Sequence, residues 1–182
     1  TALNQWINQH MIPAPKEAEQ NREFYYMSDF LKDHGFDHYE ISNFGKPGFH
    51  SRHNSSYWTE KKYLGCGPSA HSYNGTSRQW NVASLNEYIR GISNGNPTFE
   101  VEELDLYTRY NDFVITHIRT QWGMPLPKLR KQYGEELYKY CLRMATPHLQ
   151  QGTLEIKNDT LKLTRKGVFI SDGIMSDMLW VE

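Results

Sequence analysis

The sequence predicts an α/β architecture followed by a small, mostly helical domain of winged-helix-like order. Three observations predict it. A helix, a glycine and a strand follow one another between residues 14 and 44, the half-unit of an α/β fold. A capped amphipathic helix over 84–94 ends at Gly95 and Pro97. From about residue 98 the pattern changes to three helices, a hairpin and a last helix.

Each element has its own signal. Over 14–34, Pro15 suits a first helical turn, Phe24, Met27 and Leu31 recur at spacings of three and four, and Gly35 stands where a C′ glycine belongs. Asp37 to Phe44 alternates, which predicts a strand. Residues 45–62 predict a long polar loop holding two histidines and two large aromatics, and such loops are functional or disordered. The aromatics argue against disorder. Tyr63 to Tyr73 is rich in small residues and predicts a strand that lets a backbone or ligand approach closely. Ser84 and Glu87 form a capping box for the helix carrying Leu85, Tyr88, Ile89 and Ile92. A long helix is expected over 101–121, a short one near 127–133 and a third over 135–150. Leu154-Glu155-Ile156 and Leu161-Lys162-Leu163 flank Asn158-Asp159-Thr160 as a hairpin. A last helix runs from Thr164 to about Met178. The domain boundary is placed between residues 97 and 98, giving domains 1–97 and 98–182.

Composition excludes several classes. The 182 residues carry 20 basic and 21 acidic side chains, so no bulk positive charge marks a nucleic-acid binder. No apolar run reaches the roughly 18 residues of a membrane span. Cys66 and Cys141 are the two cysteines, too few for a disulfide framework, and a reducing, cytoplasmic setting follows as the expectation. Aromatics reach 14%, which offers flat contact surfaces as well as core filler.

Three histidines draw attention. His50 and His53 stand three apart in the aromatic loop, and His71 follows in the small-residue segment. Zinc is one reading. Axial ligation of heme iron by histidine, with Tyr57 and Trp58 packing on the macrocycle, is another. The plain alternative is that His53 and Asn54 bond the loop backbone while the two aromatics pin it. Gly65-Cys66-Gly67-Pro68-Ser69-Ala70 matches no phosphate-loop motif. Cys66 reads as a buried, inert thiol and Cys141 as core. Lys128, Arg130, Lys131, Lys157, Lys162, Arg165 and Lys166 invite a nucleic-acid-binding winged-helix reading. Glu135, Glu136, Glu155 and Asp159 interleave them, which predicts a solvated face instead.

Tyr39-Glu40-Ile41-Ser42-Asn43-Phe44, His53-Asn54-Ser55-Ser56-Tyr57-Trp58 and Tyr63-Leu64-Gly65-Cys66-Gly67-Pro68-Ser69-Ala70-His71-Ser72 stand in that order. With Ile118-Arg119-Thr120, Trp122-Gly123, Leu161-Lys162-Leu163-Thr164 and Lys166-Gly167, they resemble the oxygen-independent coproporphyrinogen III oxidase-like radical SAM proteins. H-N-x-x-Y-W marks the heme-chaperone branch of that family. The resemblance implies the last strands and helices of an incomplete (β/α) barrel followed by the helical domain. It implies a 4Fe-4S cluster on a C-x-x-x-C-x-x-C motif and S-adenosylmethionine. This chain lacks that motif, so it reads as the C-terminal half of a longer protein and as inactive alone in radical chemistry. Thr1, not a methionine, agrees with that expectation.

The implied function is a heme chaperone that binds heme and delivers it to apo-proteins. The alternative is a coproporphyrinogen III oxidase of porphyrin synthesis acting on the porphyrinogen. The expected heme-binding residues are His53 (also the iron ligand), Asn54, Tyr57, Trp58 and Arg52, the last by pairing with a propionate. Ser55, Gly65, Gly67, Ser69, Ala70 and His71 are expected to face the S-adenosylmethionine or the porphyrin. No nucleic acid and no transmembrane segment are expected. Contact with membrane partners would be transient.

Overall fold

The computed structural model describes residues 2–14 and 16–181. The expectations placed on Thr1 and Pro15 lie outside the described residues. The chain runs α1 (Ala2–Asn8), α2 (Glu17–Asp33), β1 (Asp37–Glu40), β2 (Asn43–Gly45), α3 (Arg52–Trp58), β3 (His71–Tyr73), β4 (Ser77–Asn81) and α4 (Leu85–Ser93). It continues β5 (Phe99–Glu103), α5 (Leu106–Ile118), β6 (Met124–Pro125), α6 (Leu126–Gln150), β7 (Leu154–Lys157), β8 (Thr160–Leu163), α7 (Arg165–Val168) and α8 (Ser171–Met178). Among the described residues the ladders are all antiparallel: β1-β2, β3-β4-β5 and β6-β8-β7. This is a mixed helix and strand fold with no closed barrel.

Four expectations change in detail. The single strand over 37–44 is a hairpin that pairs His38 with Phe44. Its turn forms because the Glu40 carboxylate accepts from the Ser42 amide at 3.0 Å and from the Asn43 side chain. A period-2 pattern is the same in one strand or in two arms, so alternation alone hides the turn. The polar loop over 45–62 contains α3, begun by Ser51, whose hydroxyl accepts from the Asn54 amide at 3.2 Å. Within 63–73 only β3 is a strand; Gly67 and Ser69 have φ of 112° and 56°, which ends extended pairing. The stretch 101–103 belongs to β5 and not to a helix, and the helix starts after Asp105, whose carboxylate caps the Thr108 amide at 2.6 Å.

The rest follows the pattern. Gly134 (φ 83°) breaks α6 between the two helices expected there. Asn158 and Asp159 both take left-handed φ (50° and 54°), closing the β7-β8 hairpin with two residues. The last helix divides into α7 and α8.

The core sits in the second half. Tyr110, Phe113, Val114 and Ile118 of α5 pack with Leu129, Leu137 and Cys141 of α6, Leu161 of β8 and Ile174 and Met178 of α8. Burial pushes the Cys141 thiol up to about 12, which keeps it inert. Cys66, expected buried, is exposed. Tyr26, Met27 and Phe30 of α2 and Leu85, Ile89 and Ile92 of α4 are exposed.

Among the ion pairs that tie the first half to the second, four join an Arg or Lys to an Asp or Glu more than 30 residues away. Arg165 grips Asp29 through both terminal nitrogens at 2.6 and 2.7 Å. Arg119 meets buried Glu40 at 2.7 Å. Arg78 pairs with Asp112, and Lys128 with Glu60. The last two pairs fix α3 and the β3-β4-β5 sheet against the helices that follow.

Candidate functional site

Helix α3 places four of the expected residues on two neighbouring faces. Residues four apart share a face. Asn54 and Trp58 form the inner one. Asn54 Nδ2 lies 3.4 Å from Asn43 Oδ1, and Asn43 in turn donates to Glu40. The Arg119 guanidinium lies 4.5 Å from the Trp58 ring centroid, a cation–π contact. The Trp58 indole N–H is buried and finds no acceptor among the described residues. The Tyr-Glu-Ile-Ser-Asn-Phe and His-Asn-x-x-Tyr-Trp segments are therefore one network, Asn54–Asn43–Glu40–Arg119–Trp58.

Glu40 is the centre of that network and is 2% exposed. Burial pushes its carboxyl up, but hydrogen bonds from Asn43, Arg119 and Ser42 outweigh this and leave it below the usual carboxylate range.

His53 and Tyr57 form the outer face. Both are exposed, with ring centroids 5.1 Å apart and planes at 89°. His53 Nε2 lies 3.1 Å from the Tyr57 hydroxyl oxygen. Arg52 is exposed at the start of the helix and pairs with no carboxylate among the described residues. Ser55 is half-buried, and its carbonyl accepts from Thr59 Oγ1 at 3.0 Å. Tyr57 thus stands apart from Trp58, and the two do not form one wall.

The three histidines occupy separate environments. His50 stacks on Tyr39 at 4.4 Å and bonds Asp37 at 3.0 Å. His71 lies beside Trp80, with centroids 5.9 Å apart. Among the described residues no three His, Cys, Asp or Glu side chains gather to hold a metal ion.

The glycine-rich segment is held from within. Buried Asn81 donates to the carbonyls of Gly65 and Gly67 at 3.3 and 2.9 Å. The Tyr88 hydroxyl accepts from the Gly67 amide at 3.0 Å, and Ser72 Oγ accepts from the Gly65 amide at 3.0 Å. Ala70 carries its carbonyl to the Asn81 amide at 3.0 Å. A Cβ on Gly65 would stand 2.1 Å from the His71 carbonyl oxygen, so only glycine fits. Beside this segment lies an open groove of about 500 Å³ lined by Ser69, His71, Trp80 and Phe99. Of the expected residues, Ser69 and His71 line this groove, Gly65, Gly67 and Ala70 lie in the segment beside it, and the others lie on α3.

Sequence reasoning missed what stands behind α3. The Tyr57 ring meets Tyr63 at 4.9 Å, and Tyr63 meets Tyr73 at 6.1 Å. Tyr63 and Tyr73 exchange backbone hydrogen bonds at 3.0 and 2.9 Å. Glu60, at φ 54°, ends the α3 segment and is gripped by Lys128. Lys128 Nζ is also 3.4 Å from His117 Nε2, while His117 Nδ1–H donates to the Phe113 carbonyl at 2.9 Å. Burial, aided by the Lys128 charge, pushes His117 below its ordinary value. Burial likewise raises the Asp112 carboxyl, which Arg78 only partly offsets. The tyrosines are spaced too irregularly to signal a shared surface in sequence.

The basic residues of the helical domain are largely engaged within the chain. Arg130 pairs with Glu135 and Arg165 with Asp29. Lys162 donates to the Gln121 carbonyl and Lys166 to that of Gln151.

Comparisons with known proteins concern the sequence and the fold. Residues 104–170 match the HemN C-terminal domain family. The chain is 29% identical over 180 residues to heme chaperone HemW of Mycobacterium tuberculosis, covering 98% of this chain and 44% of that protein. It is 27% identical over 171 residues to heme chaperone HemW of Bacillus subtilis, covering 93% and 44%. Among solved structures it is similar to coproporphyrinogen III oxidase (HemN) from Escherichia coli, a radical SAM enzyme. The TM-score is 0.68 at 16% identity, over 90% of this chain and 42% of that one, and this likeness concerns the fold. The chain spans less than half the length of the curated relatives it matches.

Proposed function

We propose that this chain, which carries a HemN C-terminal domain and is similar to HemW heme chaperones over most of its length, is the heme-holding part of a heme chaperone. The observation that carries the reading is the division of α3. Asn54 and Trp58 anchor the helix, and His53 and Tyr57 face outward together. An anchored helix that presents an imidazole and a phenol ring to solvent offers heme an axial nitrogen and a flat apolar contact. Arg52 at the same helix supplies a guanidinium for a propionate. Ser55 lies on α3 as a secondary contact.

The groove beside Gly65, Gly67, Ser69, Ala70 and His71 is the place we assign to S-adenosylmethionine or to the porphyrin edge. Cys66 and Cys141, one of them buried in the core, do not fit the cysteine set a 4Fe-4S cluster needs. No step of the reading passes through the cluster. In the reading the longer protein works in the cytoplasm and gives its heme to apo-proteins.

The test is a heme titration followed by absorbance on this chain and on its His53→Ala variant. Saturable binding with a shifted Soret band, lost in the variant, supports the reading. Absence of binding to this chain overturns it for these residues, and equal binding by the variant overturns His53 as ligand.

A further inference from the structure

Behind α3 the structure holds a cavity of about 200 Å³ between Tyr57, Tyr63, Tyr73 and Tyr133. Its carboxylates are already matched, Asp112 with Arg78 and Glu60 with Lys128. Its second arginine is not. Arg109 gives its Nε–H to the Asp105 carbonyl at 3.3 Å, and its terminal nitrogens form no ion pair among the described residues. Asp105, its neighbour on the helix, is occupied in capping the Thr108 amide. The Tyr63 hydroxyl also lacks a hydrogen-bond partner there, whereas the hydroxyls of Tyr73 and Tyr133 donate to the Gly75 and Arg109 carbonyls. A guanidinium with free N–H groups and a phenol donor inside aromatic walls is a receptor for one carboxylate on a short apolar stem. The volume is too small for a macrocycle, since pockets for drug-sized ligands begin near about 300 Å³. It suits a single side arm.

Tyr57 connects this cavity to the outer face of α3, because its ring lines the one and its hydroxyl meets His53 on the other. We propose that the cavity takes a propionate arm of the tetrapyrrole held on α3, with Arg109 as its counter-ion and Tyr63 as a second donor. This rests on the heme-binding reading above and adds a recognition element to it. The carboxylate of S-adenosylmethionine has the same chemistry, and the experiment separates the two sources.

The experiment titrates heme, heme dimethyl ester and S-adenosylmethionine into this chain, and into the Arg109→Gln and Tyr63→Phe variants. Esterified propionates keep the ring and iron but lose the charge. The expected result is that the unmodified chain binds heme at least about tenfold tighter than the ester, as a desolvated charge-assisted pair requires. Arg109→Gln should reduce that preference severalfold, to the part that Arg52 supplies, and leave ester affinity and the Soret shift unchanged. Tyr63→Phe, which removes only an oxygen atom, should reduce the preference severalfold and serves as the test should Arg109→Gln fail to fold. Equal binding of heme and ester by the unmodified chain overturns the propionate assignment and leaves the heme reading standing. Binding of neither overturns both. Binding of S-adenosylmethionine that is lost in Arg109→Gln, with no ester effect, assigns the cavity to the amino-acid carboxylate and overturns the proposal.

Discussion

His53 and Tyr57 stand one helical turn apart on α3, and the imidazole Nε2 lies 3.1 Å from the phenol oxygen. Whichever partner carries the proton, Nε2 is engaged and must leave that contact before it can take iron. Tyr57→Phe should therefore tighten heme binding, by about 1 kcal/mol or roughly fivefold, while keeping the ring. His53→Ala should abolish the Soret shift. A titration in which Tyr57→Phe weakens binding would make the hydroxyl a direct contact to the ligand and not a competitor.

Glu40 is the joint of the anchored face. Glu40→Gln leaves Arg119 facing a neutral amide and should cost about 3 kcal/mol at neutral pH. The folded carboxyl lies below its ordinary value, so its contribution is whole above the unfolded value of about 4.3 and fades as pH falls below that. Denaturant melts of both proteins at pH 7 and pH 3 check this. The gap between them should narrow markedly in acid, and a gap that is the same at both pH values would refute the assignment.

His117 gives a second, separate window. Its folded value is depressed, so the unfolded chain binds the extra proton first, and stability is full above about 6.5 and falls as pH drops below that. His117→Gln should flatten the melting temperature across that range. Because Lys128 bridges His117 and Glu60, Lys128→Met should weaken the same dependence, as it lifts one of the two causes of the depression.

Two glycines of one loop should respond differently. Gly65→Ala drives a Cβ into the His71 backbone and should cost more than about 2 kcal/mol, loosening the Tyr63–Tyr73 bridge. At Gly67 a Cβ meets nothing within 4 Å, and the cost is the strain of φ 112°, about 1–3 kcal/mol. Thermal unfolding of each variant separates the two, and the double mutant should not add fully, since Asn81 holds both carbonyls.

Helix α4, the break in α6 and the β7-β8 hairpin were legible because each is marked by one or two residues: Ser84 and Gly95, Gly134, and Asn158 with Asp159. Helix α3 was not, because its seven residues are polar and aromatic and leave no buried stripe for periodicity to find. Its only local signal was Ser51 as N-cap. The hairpin at Ile41–Ser42 was hidden by an alternation that continues through the turn. His53 and Tyr57 were legible as candidates, but their separation from Trp58 depends on Arg119, which lies far along the chain. Arg109 was invisible for the same reason. It lies on α5, whereas its cavity neighbours Tyr63 and Tyr73 come from β3 and the segment before it.

Four of the ion pairs between the halves span 136, 79, 34 and 68 residues. Each joins a residue before 80 to one after 111. The partners that hold α3 in place are therefore made after it. During synthesis α3 leaves the ribosome well before Arg119 and Lys128 exist, and their arrival supplies the contacts that hold it. Such long-range closure slows folding. Capacity for heme should accordingly appear late in refolding, in step with the packing of the helical domain and not with the first formation of helix.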